Sequence, residues 1–282
     1  MKKKILMASS LVAVSALSIL GTKAYLADKA EDINVMTVGN VKIDQLEYER
    51  KVDESGNWIK SEEYNATFGS DTYTPDLLQE FTQAKPIYPA VYQDGKVKWD
   101  DRNGSQAASG EGSHQQSWAE IGAPGSNQLF DDSVKNVQDK FVFVKNTGTV
   151  DAYYRTIIAV ECPEDVDSSL IHINRTGNSR FDWQNVGTTT IDGVQYILYN
   201  ATYKEVLQPG EISRPSLLQV YLDPAATNED VAKFGDTFDI LVTSQATQVN
   251  GFTDAYTALN TSFGEISKDK HPWSDGVVIP ST

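Results

Sequence analysis

Dense apolar runs separated by turn residues dominate the chain, and few stretches keep helical spacing. Phe141–Val144 and Tyr153–Val160 are nearly continuous apolar runs, the pattern of central strands packed on both faces. Ser216–Leu222 and Phe238–Val249 are two further strand-like runs, with Pro209-Gly210 as punctuation before the first of them. Two Asp-Gly pairs, Asp94-Gly95 and Asp192-Gly193, sit between strand-like segments. A type I′ turn needs positive φ at both central residues, which Asp and Gly tolerate, so each pair predicts a hairpin. Glu54–Asn57 predicts a longer hairpin between Val41–Lys51 and Trp58–Lys60. Roughly nine strands separated by turn chemistry predict a mainly β fold, a two-sheet β-sandwich.

Helices are expected to be few and short. Thr74-Pro75-Asp76 reads as N-cap, first helical position and acidic first turn, with Leu77, Leu78 and Phe81 on one face. Asn228 is expected to cap a turn carrying Val231 and Phe234. Phe252, Ala255, Leu259 and Phe263 keep helical spacing and stop at Gly264. Residues 100–127, rich in Gly, Ser, Ala and Asn, read as one long flexible loop within a single domain.

The N-terminus adds a processing signal. Lys2, Lys3 and Lys4 precede an uncharged stretch from Ile5 to Leu20. That stretch spans about 24 Å as a helix, short of the roughly 30 Å of a bilayer core. Thr22-Lys23-Ala24 then places a small residue at the usual cleavage position, so 1–24 read as a signal peptide cut between Ala24 and Tyr25. Residues 25–282 are then one secreted domain, with no stable membrane insertion after cleavage and no later hydrophobic span. The chain carries −15, and the segment 1–24 holds four lysines and no acid, which leaves −19 on the remainder. Nucleic acid and anionic lipid both need a basic footprint, so neither is an expected partner.

Candidate chemistry is sparse. The single cysteine, Cys162, excludes an internal disulfide and reads as a small core residue. His114, His172 and His271 are far apart in sequence, and none begins the His-Glu-x-x-His pattern that sets two imidazoles one helical turn apart on zinc. The Asp101–Ser105 stretch lacks the glycine and final glutamate of a calcium loop, with Gln106 and Gly112 in their places. Asp131-Asp132 and Glu62-Glu63 are expected to be solvated. Neither an enzyme nor a cofactor is expected.

The most informative segment is the expected mature N-terminus. Ile33, Val35, Val41 and Ile43 fall on odd positions, with Thr37 and Gly39 between them, the period of a strand with one buried face. A chain-terminal strand can pair within its own sheet or complete a neighbour's.

The start Tyr25-Leu26-Ala27-Asp28, following Ala24, and the stretch Met36–Ile43 resemble the TasA/camelysin proteins of Gram-positive bacteria. Three later stretches resemble the same family: Asp139–Tyr153, Leu207–Glu211 and Ser244–Phe252. The resemblance spans most of the chain except about residues 57–128. It implies a jelly-roll-like sandwich, export through the dedicated signal peptidase SipW, and a place in a biofilm matrix or on the cell surface. It also implies a fibre subunit, assembled when the arm 25–43 enters the next copy or a related matrix protein. Ile33, Val35, Met36, Val38, Val41 and Ile43 would form the assembly strand. Two alternatives stand beside it. One is a non-polymerising surface protein that binds a ligand or host through the 100–127 loop, with Trp99 and Trp118 near its ends. The other is a metalloendopeptidase, a label some relatives carry and no zinc motif here supports.

Overall fold

The structure, a computed structural model, describes residues 27–30, 41–68, 75–81, 85–92, 129–130, 132, 134–177 and 180–274. The Asp94-Gly95 turn and the 100–127 loop lie outside them. Strands β1 (Ala27–Ala30), β13 (Ile240–Gln248), β8 (Ala152–Glu161), β11 (Val194–Tyr203) and β10 (Phe181–Ile191) form an antiparallel sheet in that spatial order. Opposite it, β2 (Ile43–Arg50) pairs with β3 (Leu78–Glu80) on one side and β7 (Phe141–Asn146) on the other. Backbone bonds from Ser216 N to Val142 O (2.8 Å) and from Lys140 N to Leu218 O (2.9 Å) carry this layer on to β12 (Leu217–Leu222). There β6 (Gln138–Asp139) and β9 (Ile171–Arg175) flank β12. A short ribbon, β4 (Val91–Tyr92) with β5 (Val134–Lys135), joins the end of β12, where Ala90 N donates to Leu222 O at 2.9 Å and Val134 packs with Tyr221. The fold is mainly β, a sandwich with three short helices among the described residues.

The chain changes layer at nearly every step from β7 onward, and among the described strands of that stretch only β10 and β11 are both consecutive and paired. This crossing pattern accounts for the burial of β8 on both faces. Ile158 and Val160 face the inter-sheet core with Val142, Ile173, Ile197, Val220 and Phe238. Ile157 and Ala159 face the other way, under Leu198, Tyr196 and Ile266. Every residue of β8 is consequently buried. Helix α3 (Ala255–Phe263) covers the same outer face next to Tyr153, through Ala255, Ala258 and Leu259. In β7, Val142 and Val144 point to the core, while Phe141 and Phe143 pack outward with Tyr64 and Leu129. Tyr64 belongs to helix α1 (Ser61–Phe68) and stacks on Phe141 at 4.8 Å.

The Asp192-Gly193 hairpin forms as expected, with Ile191 opposite Val194 and φ of 49° and 85° at the two turn residues. A Cβ on Gly193 would meet nothing within 4 Å, so only the backbone resists one. Gly193→Ala is therefore expected to cost about 1–2 kcal/mol, read as a lower urea midpoint.

Two local expectations are corrected. Leu77, Leu78 and Phe81 do not share a helical face. A 3-10 turn at Pro75–Leu77 runs straight into β3, because Leu78–Glu80 finds backbone partners along Tyr48–Arg50. Helix α2 (Asn228–Lys233) is capped by Thr227 rather than Asn228, with Asp230 closing a capping box. The Glu54–Asn57 hairpin forms but is short: one bridge, Val52 to Trp58, made by bonds from Asp53 N to Asn57 O and from Ile59 N to Lys51 O, precedes α1.

Candidate strand-pairing edge

The β13 margin is where the N-terminal arm meets the domain. Asp239 O accepts from Glu161 N at 3.0 Å, which makes the odd-numbered positions of β13 those that bond to β8. Its even-numbered positions, Ile240, Val242, Ser244 and Ala246, therefore turn their backbone groups toward the margin. Strand β1 takes part of that row, with Ala30 opposite Ser244 and Asp28 opposite Ala246. Of the expected assembly strand, Val41 (2 % exposed) and Ile43 (3 %) lie in this chain's own core. They pack with Val144, Tyr154, Phe181 and Ala246, and Ile43 opens β2 opposite Asn146. Ile33, Val35, Met36 and Val38, and the cleavage pair Ala24 and Tyr25, lie outside the described residues.

Beyond β1 the margin is closed by side chains from β2. Gln45 and Glu47 lie opposite the core-facing Val144 and Val142, so with Glu49 they share the inner face of their layer at its edge. Gln45 Nε2 donates to Val242 O at 3.2 Å and to Glu47 Oε1 at 2.7 Å. Its Oε1 accepts from Ser244 Oγ at 2.8 Å. Glu47 also takes the buried Lys140 ammonium, which sits 3.7 Å from the centre of the Phe81 ring. Glu49, 3 % exposed, is held by Lys85 and by Gln79 Nε2. These pairs form a polar seam between the layers. The charges are tolerable there because each one meets an opposite charge or a hydrogen-bond donor.

A second polar device fixes the outer face of β8. Arg155 is 1 % exposed and donates to Gln245 Oε1 (2.9 and 2.7 Å), Asn260 Oδ1 (2.8 Å) and Gly264 O (2.9 Å). These acceptors are neutral, and burial pulls the guanidinium down to about 10. Arg155 thus ties β13 to the C-terminal end of α3.

The remaining candidates are dispersed. Cys162 is buried, with Sγ 3.8 Å from Val166 O, and burial pushes its thiol up to about 11, far from a reactive thiolate. His172 is buried, bonded to Asp223 at 3.1 Å and stacked on Tyr221. His271 Nε2 lies 3.1 Å from Thr189 Oγ1, and His114 is outside the described residues. Among the described residues, no group of three or more His, Cys, Asp or Glu is placed to hold a metal ion. Asp132, expected to be simply solvated, receives Arg50 at 3.0 Å and the backbone N of Ser61. Sequence reasoning missed Gln45, Glu47 and Arg155, whose partners are remote in the chain. Comparison with family models, with curated proteins and with solved structures finds no match to this chain.

Proposed function

We propose that this chain is an exported structural protein whose subunits join by exchanging the N-terminal strand at the β13 margin, in the manner of the TasA/camelysin proteins it resembles. The observation that carries the proposal is the seating of β1 on the β13 margin, ahead of Val41, the first buried residue among those described. Val41 and Ile43 anchor the base of the arm, so β1 can leave while the core stays intact. The exchange is energetically feasible. Asp28–Ala246 and Ala30–Ser244 are two hydrogen-bonded pairs, about four backbone bonds at roughly 1 kcal/mol net each. A bond set of that size opens readily, and the same bonds reform with a second copy. Export through a SipW-type peptidase would remove residues 1–24 and leave Tyr25 to begin the arm.

The test compares a chain starting at Tyr25 with one starting at Val41, by sedimentation and electron microscopy. Filaments from the longer form alone, with the shorter form still folding cooperatively, are the expected result. If both forms stay monomeric, strand exchange is wrong. Binding through the 100–127 loop then becomes the function to pursue.

A further inference from the structure

We propose that Gln45 sets how much of the β13 margin an incoming strand can occupy, and so determines the register and strength of subunit joining. This rests on the strand-exchange proposal above. In the register of β1, a strand that continued beyond Ala30 would next seek the backbone of Val242, two positions on from Ser244. The Val242 carbonyl already accepts from the Gln45 carboxamide, and Ser244 Oγ holds the other end of that amide. Neither end of the Gln45 amide is idle, since Nε2 also bonds Glu47, itself pinned by Lys140. The side chain therefore mimics one rung of a neighbouring strand and blocks the next one. With this cap in place an incoming strand would be held to Ser244–Thr247, the stretch that β1 covers.

The occupant that fits is a strand from a second copy of this chain. It would pair over the same four positions with Gln45 in place, and down to Ile240 with Gln45 displaced. Edge strands that are not blunted pair indiscriminately, and a removable side-chain cap is one way to keep a margin both available and selective. Ser244 has a second anchor: its Oγ lies 3.1 Å from Thr156 Oγ1 on β8, so the cap is fixed to the sheet it guards.

The test uses the chain starting at Tyr25 and a fluorescein-labelled peptide of its residues 25–40. Peptide affinity is measured by anisotropy for the unaltered protein, Gln45→Val and Ser244→Ala, with thermal midpoints to confirm that each variant folds. Gln45→Val removes the cap and keeps strand propensity. It is expected to bind the peptide about fivefold more tightly, the effect of one restored backbone bond. Ser244→Ala keeps Gln45 but releases its Oε1, and a smaller gain in the same direction is expected. Equal affinity for all three proteins overturns the role of Gln45 and leaves strand exchange standing. No binding to any of them overturns both.

Discussion

Ile43→Ala is expected to lower the stability of the domain by about 3 kcal/mol, the usual cost of truncating a fully buried isoleucine. The size follows from its position. Ile43 is the first residue of β2, and its side chain fills the end of the sandwich where Tyr154, Phe181, Tyr203 and Leu207 converge. Aromatic rings set edge-on or tilted to one another, such as Tyr154 and Phe181 at 6.4 Å, cannot collapse into the space that alanine would leave. Urea denaturation followed by tryptophan fluorescence should show a lower midpoint with an unchanged slope. A loss below about 1 kcal/mol would instead place Ile43 with the detachable arm, as expected for a residue outside the core. The outcome thus locates the hinge between arm and domain.

Arg155→Met is expected to destabilise the protein by about 2–4 kcal/mol and to loosen α3 first. Methionine fills much of the volume but cannot donate, so Gln245 Oε1 and Gly264 O lose their buried partners. Each orphaned acceptor costs about 1–3 kcal/mol, offset in part by relief of the desolvated cation. The helix has its own cap, with Asp254 accepting from Thr257 N at 2.8 Å. What it loses is its tie to the sheet. Limited proteolysis should therefore cut near 250–265 in the variant well before the rest of the domain opens. Uniform resistance at an unchanged midpoint would show that apolar contacts of Ala258 and Leu259 hold the helix alone.

The legible parts of the fold were those written in local order. The run from Tyr153 to Val160 announced burial on both faces, and the structure supplies two covers, the opposing sheet and the layer containing α3 and Ile266. Asp192-Gly193 named its own turn. Leu77, Leu78 and Phe81 misled because their spacing suits a helix and a strand edge alike, and β2, about thirty residues earlier, decided between them. The polar seam was illegible for a related reason. Gln45, Glu47 and Glu49 alternate with Leu46 and Tyr48, which reads as a wet face opposite a dry one. Both faces are covered because Lys140, Lys85 and Val242, far along the chain, come to meet the polar one. Arg155 sits inside an apolar run, and nothing local marks its three acceptors.

The two margins of the five-stranded sheet are unequal. At β13 the pairing with β8 runs without a register shift, and among the described residues β1 and the Gln45 carboxamide meet the margin. At β10 the ladder is broken by a bulge between Asn185 and Gly187, with Gly187 at φ 106°. Thr189 is strapped to the C-terminal segment through Lys268 O at 2.8 Å. A bent, strapped strand offers a poor template to another chain. Under the strand-exchange proposal the sheet would have a valency of one. It would gain a single neighbour on one flank and be protected against the two-sided lateral stacking by which exposed sheets turn into amorphous deposits.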